Sequence, residues 1–113
     1  MGSYLLGLDA GNTVTKAVLF DLSGQQIAAA EEASVSLYPQ PGHVERSLSE
    51  FWQQAATAIH TCIKQAGVDP EDILGVGCCG HGNGLYLLDK DQEPLLAIQS
   101  LEPTDPEIGE ALR

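Results

Sequence analysis

Three short stretches carry the side chains whose types and spacing suit work on a ligand. The first is Asp9-Ala10-Gly11-Asn12-Thr13-Val14-Thr15-Lys16. Asp9 closes an apolar run, where an ionised carboxylate is costly unless a cation lies close by, directly or through water. Gly11, Asn12 and Thr13 make a turn whose N–H groups could converge on phosphate oxygens, with the Thr13 hydroxyl and Lys16 adding donors. It is not a Walker loop, because no GxxxxGK[ST] is present and a strand rather than a helix follows. The same residues also suit an ordinary hairpin with an Asx-type turn. The second stretch, Gly80-His81-Gly82-Asn83-Gly84, is a glycine-rich loop in which His81 and Asn83 could hydrogen-bond sugar hydroxyls; a histidine in a plain surface turn would look the same. The third, Pro41-Gly42-His43-Val44-Glu45-Arg46, reads equally as a helix-entry loop with an exposed Glu45–Arg46 ion pair.

The elements that would position these residues follow from the pattern around them. Tyr4 to Asp9 is almost wholly apolar, as in a strand buried on both faces. After the turn at Ala10-Gly11-Asn12, Thr13 to Phe20 alternates as a second strand. Leu22-Ser23-Gly24-Gln25 turns into a third strand, Gln26 to Val35, so the three make an antiparallel meander. Leu37 to His43 is loop, with Pro39, Pro41 and Gly42. Ser47 with Glu50 forms a capping box for a helix that ends at Gly67. Leu48, Phe51, Trp52, Ala55, Ile59, Cys62, Ile63 and Ala66 fall on its apolar face. Asp69-Pro70-Glu71 starts one more turn, and Ile73 to Cys79 is an apolar strand. A strand–helix–strand of this length predicts a crossover that returns parallel to an existing strand. The glycine loop then lies at the carboxyl end of a parallel strand, where open α/β sheets place ligands. Leu85 to Leu88 and Pro94 to Gln99 read as a hairpin turning at Asp89-Lys90-Asp91-Gln92. The tail from Glu102 is polar, with a helix-start pattern at Asp105-Pro106-Glu107. The order β-β-β-α-β plus a hairpin predicts an α/β domain with a mixed sheet of the ribonuclease H type.

Bulk properties narrow the partners. The chain has 113 residues, 16 acidic and 5 basic, for a net charge of −11. No basic stripe exists to neutralise nucleic acid or an anionic membrane surface, but a single nucleotide held by backbone N–H groups and Mg²⁺ is compatible with this charge. Cys62, Cys78 and Cys79 have neither disulfide-framework nor zinc-site spacing and read as buried thiols in a reducing cytosol. No signal region or long apolar run is present, so a soluble cytoplasmic protein is expected.

Taken in order, the three stretches resemble the start of the FGGY family of carbohydrate kinases. The family opening LGxDxGTxxxK is matched by Leu6-Gly7-Leu8-Asp9-Ala10-Gly11-Asn12-Thr13-Val14-Thr15-Lys16. The segment PGWVExxxxxxW is matched by Pro41-Gly42-His43-Val44-Glu45-Arg46 and Trp52, and the sugar loop ending LLD by Cys79 to Asp89. The likeness runs from about Tyr4 to Ser100 and is nearest to xylulose and L-xylulose kinase-like members. It implies an actin/hexokinase-type ATPase fold and transfer of the ATP γ-phosphate to a hydroxyl of a small, pentulose-like sugar or polyol. It places Asp9 at Mg²⁺, with Gly11, Asn12, Thr13 and Lys16 around the phosphate. Glu45, His81, Gly82 and Asn83 fall near the sugar. Departures are Gly-Asn-Thr for the usual Gly-Thr, His43 for the usual Trp, a sugar loop unlike that of xylulose kinases, and no clean Asp-Arg pair after Ser100.

Family members run to roughly four times this length, with the catalytic aspartate later in the first domain and the adenosine site in a second. Residues 1–113 are therefore expected to be the N-terminal portion of the first domain, with no catalytic base of their own: neither Asp89 nor Asp105 matches that position, and the chain alone is expected to be inactive. The alternative is a standalone binding module that self-associates, or pairs with the missing remainder, to cover an exposed cleft. Other actin-like ATPases share the first hairpin but not the loop ending in Leu-Leu-Asp.

Overall fold

The computed structural model describes residues 2–34, 36–41, 43–80 and 84–98. Strands β1 (Tyr4–Ala10), β2 (Val14–Asp21) and β3 (Gln26–Ala33) form the expected meander. Helix α1 (Leu48–Ala66) and a single 3-10 turn (Pro70–Asp72) lead to β4 (Ile73–Gly80); β5 (Leu85–Leu88) and β6 (Pro94–Ile98) form a hairpin. The described residues fall into two compact units, one drawn from 1–34 and 52–80, the other from 35–51 and 81–113.

In the first unit the sheet order is β3-β2-β1-β4. β1 and β2 pair antiparallel, as do β2 and β3, while β4 runs parallel to β1, so the sheet is mixed and the crossover returns as the spacing predicts. One face carries the core: Leu6, Ala17, Leu19 and Ala30 from the sheet meet Ala58 and Cys62 from α1, with Tyr4, Leu8, Ala28, Ile59 and Val68 around them. Burying Leu19 alone is worth roughly 1.5–3 kcal/mol. Burial pushes the Cys62 thiol up, against a partial offset from a hydrogen bond with the Leu19 backbone.

Three expectations about burial need correction. β1 is not covered on both faces: Leu5 is 43% exposed. On that side Leu5, Gly7, Phe20, Gly75, Val76 and Gly77 line an apolar hollow of about 420 Å³. Only Cys62 is a buried thiol; Cys78 and Cys79 are exposed, on β4, which among the described residues has one strand neighbour. On α1, Trp52 is 70% exposed, whereas Ala58, absent from the expected face, is fully buried together with Cys62. At 100° per residue Trp52 sits roughly 90° around from the Ala55–Ala58–Cys62 centre. That stripe of small side chains is what lets the helix lie against the sheet.

Local punctuation is as expected. Gly67, at φ +67, ends α1, its N–H reaching the carbonyls of Ile63 and Lys64 at 3.0 and 3.2 Å. Asp69 Oδ1 accepts from the Glu71 N–H at 2.9 Å, capping the 3-10 turn. The turn after β2 is closed by Asp21, whose Oδ1 accepts from Ser23 N–H at 2.9 Å, Ser23 Oγ at 2.6 Å and Gln25 N–H at 3.0 Å. These bonds, the Ser23 hydroxyl first, hold the Asp21 carboxyl below its ordinary value despite some desolvation.

In the second unit the same device closes the β5–β6 hairpin. Asp89 Oδ1 accepts from Asp91 and Glu93 N–H groups at 2.8 and 3.0 Å. Where the first turn has Gly24 at φ +89, this one has Gln92 at φ +64. Leu37 and Glu45 exchange backbone hydrogen bonds at 2.7 and 2.8 Å, and Arg46 N–H donates to the Ala97 carbonyl at 2.8 Å. The 47–50 cap is present, with Glu50 N–H donating to Ser47 Oγ at 3.3 Å. β3 ends two residues earlier than expected and β4 continues through Gly80, so that glycine is strand rather than loop. The tail from Glu102 lies outside the described residues.

Candidate functional site

The β1–β2 hairpin brings Asp9, Gly11, Asn12, Thr13 and Lys16 together. Its turn is tight: Gly11 N–H donates to the Val14 carbonyl at 2.9 Å. A Cβ at position 11 would sit 2.9 Å from that same oxygen, so only glycine fits. The end of β3 anchors the turn from the side. Ser34 N–H donates to the Thr13 carbonyl at 2.8 Å, and Ser34 Oγ to the Gly11 carbonyl at 3.4 Å. With these carbonyls engaged, the turn is fixed in shape by its own backbone bond and by Ser34. Thr15, two residues on, is fully buried on the core face, and its hydroxyl has no hydrogen-bond partner among the described residues.

Register aligns a polar row across the sheet on the open face: Cys79 on β4, Asp9 on β1, Lys16 on β2 and Glu31 on β3. Asp9 is exposed, not enclosed at the end of a buried strand, so the argument that burial demands a cation there does not hold. Cys79 pairs with Asp9 in the strand register, and some desolvation, then the Asp9 charge, push the thiol above its ordinary value. Lys16 Nζ lies 3.8 Å from Glu31 Oε1, both side chains being about half exposed. Such an exposed pair is worth little, and Lys16 can leave it for a stronger anion. Ser34 and Cys79 escape a reading by motif because each reaches the hairpin from a different strand. Only strand pairing, with Asp9 opposite Cys79, would have pointed to the second.

Glu45 belongs to the second unit, where its backbone bridges Leu37 and Ile98. Its neighbour Arg46 is not in an exposed ion pair: it is 4% exposed, with the guanidinium 3.9 Å over the Phe51 ring. Burial lowers the Arg46 pKa, while the Tyr86 phenol nearby opposes that shift. Burial raises the Tyr86 hydroxyl, with the Arg46 charge acting against it. His81, Gly82 and Asn83 lie outside the described residues.

The donor set at Asp9 suits one kind of cation site. Among the described residues no group of three or more His, Cys, Asp or Glu gathers as a cage. The exposed Asp9 carboxylate beside the turn is the kind of donor Mg²⁺ would take, since that ion keeps several waters and binds through one or two carboxylates plus phosphate oxygens.

Comparisons with known proteins give the chain's family. Residues 4–106 match the model for the FGGY family of carbohydrate kinases, N-terminal domain. The chain is 40% identical over 95 residues to the L-xylulose/3-keto-L-gulonate kinase of Escherichia coli (strain K12), covering 84% of this chain and 19% of that protein. It is 34% identical over 90 residues to the glycerol kinase of Bacillus thuringiensis, covering 80% and 18%. The solved xylulose kinase of Rhodospirillum rubrum superposes with a TM-score of 0.78 at 27% identity, over 86% of this chain and 20% of that one. The chain thus spans about one-fifth of the length of these relatives. It belongs to the FGGY family of carbohydrate kinases, whose N-terminal domain it matches over nearly its whole length.

Proposed function

We propose that this chain supplies the phosphate-facing hairpin of an ATP-dependent carbohydrate kinase that phosphorylates a hydroxyl of a small sugar or polyol. The observation that carries the reading is the Gly11–Val14 turn, locked by Ser34, with Asp9 and Lys16 flanking it on the open face. In this reading the N–H groups of Asn12 and Thr13 receive the γ-phosphate while that of Gly11 stays on the Val14 carbonyl, and Lys16 exchanges Glu31 for phosphate oxygens as charge builds in the transfer. Asp9 holds Mg²⁺ through water; when bound, the ion neutralises phosphate charge. Glu45, His81, Gly82 and Asn83 serve the sugar side, and a pentulose is favoured by the likeness to the E. coli L-xylulose kinase. The catalytic base is supplied from beyond residue 113. The sheet order β3-β2-β1-β4, with β4 parallel to β1, supports a partial ribonuclease H-like domain, and two exposed free thiols suit a reducing cytoplasm.

The test uses tripolyphosphate with Mg²⁺, followed by amide NMR of the 113-residue chain. The expected result is selective shifts at Gly11, Asn12 and Thr13 that weaken in Lys16→Ala. Shifts spread over the surface, or none at the turn, would overturn the reading.

A second reading has its own observation. The apolar hollow beside Leu5 and Phe20 favours a non-catalytic module that self-associates or pairs with a kinase remainder through this face. Sedimentation equilibrium of the isolated chain decides for self-association: a monomer throughout the micromolar range rejects it.

A further inference from the structure

The residue that follows β3 reaches the β1–β2 turn from the side. Val14 pairs with Ala33 at the end of the β2–β3 ladder, so Ser34, one residue on, stands opposite Thr13. Its N–H donates to the Thr13 carbonyl at 2.8 Å, and its partly buried hydroxyl donates to the Gly11 carbonyl at 3.4 Å. An antiparallel rung with such a bond is ordinarily closed by a second one in the opposite sense. Here it stays open: among the described residues nothing accepts from the Thr13 N–H, and Thr13 is exposed. The Gly11 carbonyl adds a constraint of its own. It belongs to the same planar trans peptide as the Asn12 N–H, and the two point in opposite directions. With the carbonyl held by Ser34, the Asn12 N–H is aimed away from Ser34. The Gly11 N–H is meanwhile taken up by the Val14 carbonyl at 2.9 Å.

We propose that Ser34 is the positioning residue of this turn: by holding the Gly11 and Thr13 carbonyls it keeps their negative ends off an incoming phosphate and presents the Asn12 and Thr13 amides to it. The inference rests on the reading of the hairpin as a phosphate site. Backbone anion sites work by converging N–H groups, and a carbonyl swung into such a site repels the anion it should bind. A turn of Gly11 and Asn12 is open to that swing, since both residue types tolerate positive φ. Ser34 prevents it with two donors and no charge, so it opposes neither the phosphate nor a cation beside it.

The test is a titration of the 113-residue chain with tripolyphosphate and Mg²⁺, read by NMR at the Asn12 and Thr13 amide signals. Ser34→Ala keeps the backbone bond and loses the hydroxyl; it should bind about fivefold more weakly, the size of one modest hydrogen bond. Ser34→Thr restores the donor and should stay within about twofold of wild type on the same reasoning. Ser34→Pro lacks the N–H as well and should lose more than Ser34→Ala. Ser47→Ala, at the cap of α1, lowers stability without touching the turn and should bind as wild type does. Helical circular dichroism confirms that each variant is folded; should Ser34→Pro fail, Ser34→Ala against Ser34→Thr decides. Wild-type affinity in Ser34→Ala overturns the positioning role and leaves the phosphate reading intact. Equal losses in Ser34→Ala and Ser47→Ala overturn it as well, since stability alone then accounts for the effect. Equal losses in Ser34→Ala and Ser34→Thr do the same, because the donor is then irrelevant. If the wild type shows no shift at the turn, the phosphate reading itself has failed and the role of Ser34 falls with it.

Discussion

Replacing Gly77 with alanine places a methyl group on β4 where nothing among the described residues lies within 4 Å of it. Gly77 pairs with Gly7 on β1, and the two glycines lie in the hollow beside Leu5 and Phe20. Its backbone is not in the left-handed region, which among the described glycines is occupied by Gly24 and Gly67. The added methyl therefore meets no steric penalty and narrows the freedom of the unfolded chain. Gly→Ala at a compatible site stabilises by about 0.4–1 kcal/mol. For a domain near 100 residues that corresponds to a rise in melting temperature of about 2–8 °C. Gly11→Ala is the opposite case, because its Cβ would lie 2.9 Å from the Val14 carbonyl and the hairpin would have to open. The assay is urea and thermal unfolding of the isolated chain by circular dichroism. The expected result is that Gly77→Ala gains stability at an unchanged m-value while Gly11→Ala loses it. A fall in stability for Gly77→Ala would refute the argument, since it would mean that this face is filled in solution.

Other expected outcomes follow from single contacts. Leu19→Ala empties a fully buried position among Leu6, Ala17 and Ala58 and should cost about 2–5 kcal/mol in chemical unfolding. Gln92→Gly relieves a left-handed residue at φ +64 and should stabilise by about 1 kcal/mol in the same assay. Ser47→Ala removes the acceptor for the Glu50 N–H and should lower stability by about 1 kcal/mol. Because the folded Asp21 carboxyl titrates below its ordinary value, its stabilisation is present above the unfolded value, about pH 3.9, and is lost as pH falls through the lower folded one. Melting curves of Asp21→Asn and wild type should therefore differ at pH 6 and converge as the pH drops below about 4.

What could be read in advance was whatever a few neighbouring residues decide. The Gly11-Asn12 turn, the Ser47 cap, the Gly67 stop and the Asp69 turn are each settled within five residues, and the crossover direction of β4 follows from the length of α1. The rest depends on residues far apart in the chain. Trp52 is apolar and falls near the helical repeat, yet it sits about a quarter-turn from the Ala55–Ala58–Cys62 stripe that faces the core, and it is exposed. Leu5 reads as buried because its run is apolar, but its neighbours in the fold are Phe20 and Gly75 across two strand pairings, and their face is open. Lys16 was assigned to phosphate with no sign of Glu31, which enters only through the β2–β3 register. Arg46, adjacent in sequence to Glu45, looked like half of a surface pair, but it is covered and stacked on Phe51. The candidate hairpin is thus visible from its own residues; Ser34, which braces it, and Cys79, the register neighbour of Asp9, are not.

The two margins of the four-stranded sheet are unlike one another. At one, β3 carries Glu31 and Glu32 among its eight residues; at the other, Ile73-Leu74-Gly75-Val76-Gly77-Cys78-Cys79-Gly80 bears no charge at all. An incoming strand is repelled or distorted by glutamates at an edge, whereas an uncharged margin accepts its hydrogen bonds. Two chains joined through their β4 margins would consume both permissive sides in a single isologous contact and present only the acidic ones outward. Growth by strand addition would then end at two copies and would not propagate into a filament.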